Sequence, residues 1–384
     1  MAQIELLDST ENEQVDRLWR GVIGIFETVF PDRVSAYYVT GSYANGSAIP
    51  TSDVDGAIVF KGDFVDHTEY VQAWNLLQHC STLAPLKFDC ILARERLVFF
   101  YGSRFVKFNS KLLYGTDIRD RIELRQPEFD ARVPISKPFY SMARARGMPD
   151  TLVAPLDFPD PDGEFYGYDY QTIRMADGTE LPSIKAIPVG VGWCATTLLD
   201  RAGVLVESKQ DCLGKYRRYI GDEWTPFLEE VDIKIRQAWH YLIPEGKEER
   251  KELRGVCERT LYFENHYLSC LRGYLLEELD PKTNAGWWMP VAYADWYGFS
   301  VEEVQQATHN GMLETRIEQG LEVVWIEHFF RLIAFKTLGK FIFSGDDALH
   351  ETIEHWVDVD DLYVRTAARE ALQIQRGEAT NDAA

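Results

Sequence analysis

The chain has 384 residues, 46% hydrophobic and 13% aromatic, which suffices for two or three domains with real cores and argues against a disordered polymer. Its 61 acidic against 40 basic residues leave a net charge of −21, and no basic stripe suited to a nucleic-acid backbone is visible, so nucleic acid is set aside as a partner. The six cysteines form no CxxC, residues 1–20 are too polar for a signal peptide, and no apolar window is long enough to cross a bilayer. A cytoplasmic protein with reduced thiols and no membrane partner is the expectation.

In chain order, Val15, Leu18, Trp19, Val22, Ile23, Ile25 and Phe26 recur at helical spacing and predict an amphipathic helix over residues 13–29. Residues 36–40 are β-prone and end at Gly41-Ser42; a second strand starts at Asp53 and runs to Phe60. Residues 69–80 read as helix, 87–92 as a strand, and 99–107 as a strand or loop. That alternation predicts an α/β domain with a short mixed sheet and flanking helices over residues 1–125. Four prolines from Pro149 to Pro161 rule out one helix there, and residues 126–190 are expected to form a Pro-rich linker or insert. Residues 191–376 read as an α-helical bundle, with Leu321–Phe343 as a central helix apolar on nearly every side, and 377–384 as a disordered tail. The fold class is therefore α+β.

The stretch GSYANGSAIPTSDVDGAIVF, residues 41–60, carries the chemistry. Side chains two apart on a strand share a face, so Asp53 and Asp55 project together, and two like charges side by side call for a cation between them. Hard divalent cations such as Mg²⁺ favour such oxygens. Gly41-Ser42 closes a strand and is expected to open a short helix able to hold phosphate, while Ser52 offers a hydroxyl beside the first aspartate. Asp89, in KFDCIL on a neighbouring strand, either completes a two-metal clamp or accepts a proton from an attacking hydroxyl. The bland alternative is a pair of turn-capping aspartates.

Gly-Ser, a spacer, Asp-x-Asp and a third carboxylate one strand later resemble the core motif of the polymerase β-type nucleotidyltransferase superfamily. The resemblance implies a Mg²⁺-dependent enzyme, with two ions, that transfers the NMP of ATP or another NTP to a hydroxyl and releases pyrophosphate. Asp53, Asp55 and Asp89 would be the catalytic and metal-binding set, and Gly41, Ser42 and Ser52 would hold the nucleotide. VKFNSKLLYGTDIRDRI (106–122), GVLVESKQDCLGKYRRYI (203–220) and IRQAWHYLIP (235–244) further resemble aminoglycoside adenylyltransferases of the streptomycin/spectinomycin type. By that likeness Lys209 would contact the triphosphate, Tyr241 the nucleotide, and the acceptor would be a small hydroxylated cation. Two positions depart: Ala195 stands after Cys194 where those enzymes have Arg, and Asp89 is one methylene shorter than their usual Glu. The competing readings are a nucleotidyltransferase that modifies a protein or tRNA, and a non-catalytic nucleotide-binding module.

Three other features invite a function. Gly190–Ala195 matches GxGxxA but lacks a βαβ context, so a tight turn into a helix is expected. Trp287, Trp288, Trp296 and Tyr297 form an aromatic cluster better explained by packing than by ligand stacking. Glu229, Glu230 and Asp232 sit on an acidic helix that is either a solvated face or the lining of a cleft for an aminated substrate.

Overall fold

The computed structural model describes residues 4–125, 136–175, 177–283, 286–297 and 299–378. Helix α1 (Glu13–Val29) starts where the Asn12 side chain accepts from the backbone N–H groups of Gln14 and Val15, and it buries Val15, Trp19, Val22, Ile23 and Phe26 along one stripe. There follow β1 (Val34–Thr40), β2 (Val54–Phe60), α2 (His67–Leu83), β3 (Phe88–Arg94), α3 (Glu95–Tyr101), α4 (Arg104–Phe108) and β4 (Ser110–Gly115). The strands form one mixed sheet in the order β3-β2-β1-β4, with β2 and β3 parallel and the other pairs antiparallel.

One face of that sheet is covered by α1 and α2, where Val54, Ile58, Phe60 and Leu77 join the α1 stripe. Gly56 belongs there because a Cβ at that position would collide with the Trp19 ring. The opposite face packs Tyr38, Ala57 and Val59 against Val98 and Val106 of α3 and α4. Residues 99–107, expected as strand or loop, are thus part of two short helices. Leu97, Val98 and Phe100 turn inward from α3, and Gly102 ends it in the left-handed conformation at φ 63°. Periodicity could not reveal helices only one or two turns long.

Beyond this sheet come α5 (Ser136–Ala145), β5 (Leu152–Ala154), the hairpin β6 (Gln171–Arg174) and β7 (Glu180–Ser183), α6 (Ala186–Arg201), α7 (Lys209–Tyr219) and α8 (Thr225–Glu230). A π-helix, Val231–Ala238, continues α8, and α9 (Lys247–Leu279) is the longest helix described. The Pro-rich stretch contributes Leu152, Leu156, Phe165 and Tyr168 to the core that α6 and α9 share. Tyr168 donates from its hydroxyl to Glu264 of α9 at 2.9 Å, and Arg146 pairs with the same carboxylate at 2.7 Å.

The last third holds β8 (Trp287–Pro290), α10 (Val301–His309), β9 (Thr315–Glu318), β10 (Leu321–Ile326), α11 (Phe329–Leu338), β11 (Phe341–Phe343), α12 (Asp347–Glu354) and α13 (Leu362–Gln375). Leu321–Phe343 is therefore strand, helix and strand rather than one central helix. Gln319 (φ 50°) and Gly320 (φ 77°) make a two-residue turn that pairs Leu321 with Glu318 and commits the apolar run after it to a sheet of order β8-β10-β9. An apolar run reads alike as buried helix or buried strand, and the turn decided it. Trp287 packs in this small sheet's core with Tyr297 and Phe329, as the packing explanation expects; the Trp296 side chain is outside the described residues. So are residues 126–135 and 379–384, which include the start of the expected insert and most of the expected tail. Among the described residues no helix is long and apolar enough to cross a membrane.

The sheet and the helical region are joined by buried chemistry. Arg104 of α4 donates two hydrogen bonds to the Asp200 carboxylate of α6, at 2.5 and 2.6 Å, and both side chains are almost fully enclosed. Thr51 donates to the His240 carbonyl at 2.6 Å, and Arg236 donates to the Ser47 carbonyl and hydroxyl at 3.1 Å.

Candidate active site

Parallel pairing sets Asp55 of β2 opposite Asp89 of β3, and antiparallel pairing sets Thr40 of β1 opposite Asp55. Asp53 precedes β2 by one residue, held in place by the Val54 N–H donating to the Lys87 carbonyl at 2.8 Å. Each of Asp53, Asp55 and Asp89 can offer a carboxylate oxygen such that all three lie within 4.8 Å of one another. Gly41 is required beside them. Its φ is +68°, and a Cβ there would stand 2.5 Å from the Asp55 Oδ2. The turn after it is a 3₁₀ segment, Gly41–Tyr43, tighter and shorter than the helix expected.

The three carboxylates are not equivalent. Burial and the neighbouring Asp53 charge push Asp55 up to about 7, against the opposing pull of Lys209 and Lys185. Asp53 is half-buried and pays a desolvation penalty too, but the Lys185, Lys87 and Lys209 ammonium groups together outweigh it and hold its carboxyl below the usual range. Lys185 Nζ lies 2.7 Å from Asp53 Oδ2 and Lys87 Nζ 3.9 Å from the same oxygen. Asp89 is the exposed member. A carboxylate pair with one proton held back and one oxygen already on a cation is a donor set that fits a divalent metal, whose charge would displace that proton.

A cavity of about 380 Å³ opens over the triad between the sheet and the helical region. Every residue expected at the site lines it: Gly41, Ser42, Ser52, Asp53, Asp55, Asp89, Lys209 and Tyr241. Ser52 Oγ accepts from the Ile49 N–H at 3.0 Å, which keeps the hydroxyl beside Asp53. Lys209 is the first residue of α7, after the Ser208 cap, and its charge reaches both Asp53 and Asp55. Tyr241 is buried at φ +67°, next to His240 at φ +49°; two consecutive non-glycine residues in the left-handed region mark a backbone held under strain.

Sequence reasoning missed the other cations. Lys185 precedes α6, and its N–H donates to Ser183 Oγ at 3.0 Å, while that hydroxyl donates to the Tyr241 carbonyl at 3.1 Å. Tyr241 thus fixes the turn that carries Lys185. Arg236 lies in the π-helix, whose wide turn closes with the Trp239 N–H donating to the Lys234 carbonyl at 2.9 Å. Arg236 stands in the IRQAWHYL segment already singled out for Tyr241, so that signal existed; Lys185 had none. Ala195, where an arginine is expected, is wholly buried in α6, and the cavity's positive charge comes from Lys137, Lys185, Lys209 and Arg236 instead.

The remaining candidates fall outside. Gly190–Ala195 lies within α6 and makes neither a dinucleotide loop nor a turn into a helix. Glu229 is paired with Arg217, Glu230 with Arg259 at 2.6 Å and Lys234 at 3.1 Å, and Asp232 faces Arg236 at 3.6 Å. None of these carboxylates lines the cavity over the triad, but Asp232 lines an adjoining one that shares Lys209, Gln210, Arg236 and Tyr241 with it.

No curated protein sequence matches the chain. Residues 20–144, which hold the whole sheet and all three aspartates, match the family described as the nucleotidyltransferase domain. That match, over about a third of the chain, is to a domain of the polymerase β type and supports a transferase of the nucleotidyl kind.

Proposed function

We propose that the protein transfers the NMP of a nucleoside triphosphate, AMP from ATP in the adenylyl reading, to a hydroxyl of a small acceptor. The single observation that carries this is the Asp53-Asp55-Asp89 cluster, within 4.8 Å, facing a cavity whose other wall is cationic. Asp53 and Asp55 are suited to hold the metal, with Asp89 as a further ligand, a base, or both. Bound Mg²⁺ supplies Lewis-acid charge neutralisation at the triphosphate. Lys185, Lys209 and Arg236 are placed to bind the phosphates and to stabilise the charge that grows on departing pyrophosphate. Ser42 and Ser52 offer hydroxyls to phosphate oxygens, and Tyr241 closes the nucleotide side. Asp89, the exposed carboxylate, takes the proton of the acceptor hydroxyl. The acceptor oxygen then attacks the α-phosphorus in line, the bond to the β-phosphate oxygen breaks, and pyrophosphate leaves. The cavity's volume of about 380 Å³ is of a size for a nucleotide with a small acceptor.

Incubating the protein with Mg²⁺, each NTP in turn and a small-molecule extract, then reading NMP adducts by mass spectrometry, tests the reaction. Adducts that need Mg²⁺ and vanish in Asp53→Asn are expected. Equal, metal-independent nucleotide binding by wild type and variant would overturn the reading.

A further inference from the structure

Resting on nucleotidyl transfer at the triad, we infer that the nucleotide's base sits in a second cavity adjoining the first, and that Asp232 there selects a base carrying a neutral amino group. The second cavity measures about 150 Å³ and shares Lys209, Gln210, Arg236 and Tyr241 with the cavity over the triad. A nucleotide whose phosphates meet Lys209 and Arg236 therefore has this space beside it. Helix α6 serves both cavities: Trp193 lines the first, while Pro188, Gly192, Ala195 and Thr196 line the second. Leu213 of α7, Leu228 of α8 and Val231 of the π-helix add to an apolar wall. A space of that size with such walls takes one aromatic ring, and the ring of a base farthest from its ribose is a group of that kind.

The GxGxxA stretch finds a use here. A Cβ at Gly190 would stand 3.6 Å from the Ser141 Cβ of α5, whereas one at Gly192 would meet nothing within 4 Å. Gly192 thus leaves room beside α6, although glycine weakens a helix interior. Among the described residues, Asp232 is the one carboxylate lining the second cavity. Its Oδ2 accepts from Gln237 Nε2 at 2.7 Å, and Arg236 Nη1 stands 3.6 Å from Oδ1, beyond hydrogen-bond length. Arg236 offsets the charge while Oδ1 keeps lone pairs for a donor. A carboxylate accepts and cannot donate, so the base edge that suits it presents N–H groups. Because the charge is already answered, an uncharged aromatic amine fits better than an ammonium. Adenine, guanine and cytosine carry such a group and uracil does not.

Calorimetry on the full-length protein with Mg²⁺ tests this with two pairs of nucleotides that differ by one amino group: ATP against purine riboside triphosphate, and GTP against ITP. In at least one pair the amino-bearing nucleotide should bind about tenfold tighter, the difference expected for one hydrogen bond to a charged group. Asp232→Ala should level that pair. Gly192→Leu should put a side chain into the second cavity and weaken the preferred nucleotide by about tenfold or more, while tripolyphosphate, which has no base, binds variant and wild type alike. Leucine suits a helix better than glycine and has open space at this position, so the variant should fold. Equal affinities within both pairs overturn the selection by Asp232. A Gly192→Leu variant that weakens nucleotide no more than tripolyphosphate overturns the seat of the base. If no nucleotide binds the wild type with Mg²⁺, the nucleotidyl-transfer reading falls and takes this inference with it.

Discussion

The two walls of the cavity are built by opposite rules. The sheet wall draws its acids from positions adjacent in register: Asp55 opposite Asp89, and Asp53 two residues away. The helical wall draws its cations from far apart in the chain, at Lys185 before one helix, Lys209 at the start of another and Arg236 in a π turn. The acid wall is set by strand geometry, which repeats every two residues and every strand. The cationic wall depends on how a helical core happens to stack. The difference teaches that the metal-binding carboxylates are a property of the sheet, while on the proposed reading phosphate handling falls to the helices.

The sheet wall should break hardest. Asp53→Asn removes the carboxylate on which Lys185 and Lys87 converge, and turnover should fall by about 10³-fold or more, with loss of Mg²⁺-dependent nucleotide binding. Pyrophosphate release and calorimetry measure the two parts. Asp89→Asn sharpens the division within that wall. A proton acceptor contributes roughly 10²–10⁴-fold to rate, so kcat should collapse while nucleotide affinity stays near wild type. If affinity falls as far as in Asp53→Asn, Asp89 is mainly a metal ligand.

Breaking the helical wall should be milder and of another kind. Lys209→Ala and Lys185→Ala each remove one charged contact to phosphate, worth about 1.5–3 kcal/mol, or roughly ten- to a hundredfold in KM for the nucleotide. An unchanged KM in both variants would take phosphate binding away from this wall.

The smallest effect is on pH. In metal-free protein Asp55 keeps its proton up to about 7, whereas the unfolded chain releases it near 3.8. The folded state therefore binds the extra proton between these values, and stability should fall as pH rises through that window. Asp53, shifted downward, acts in the opposite sense and loses its contribution only at acid pH, below this window. Thermal melts in EDTA from pH 5 to pH 8 should show a declining Tm that Asp55→Asn flattens. Mg²⁺ should raise the Tm more at pH 8 than at pH 6.

This asymmetry also explains what could be read from the chain alone. Gly41, Asp53, Asp55 and Asp89 were legible because local strand rules place them, and a stripe such as Val15 to Phe26 announces its helix. Lys209 and Tyr241 were reached only through likeness to other enzymes, although both line the cavity. Lys185 was invisible, since its position depends on a hydroxyl relay from Ser183 to the Tyr241 carbonyl. Residues 99–107 were misjudged because two helices that short leave no period, and Leu321–Phe343 because its identity was decided by the Gln319-Gly320 turn outside it. The acid helix divides between its two readings: Glu229 and Glu230 answer to neighbouring basic side chains, while Asp232 lines a cavity beside Arg236.

The Arg104–Asp200 pair bears on modularity. One partner belongs to the segment that matches the nucleotidyltransferase domain and the other lies outside it. Replacing one member while the other stays buried destabilises by about 3–5 kcal/mol. The recognisable domain is therefore tied to the helical region through its interior as well as through the chain. A chimera that grafts its sheet onto a foreign helical partner should therefore keep a carboxylate opposite Arg104, so the two halves are expected to travel together.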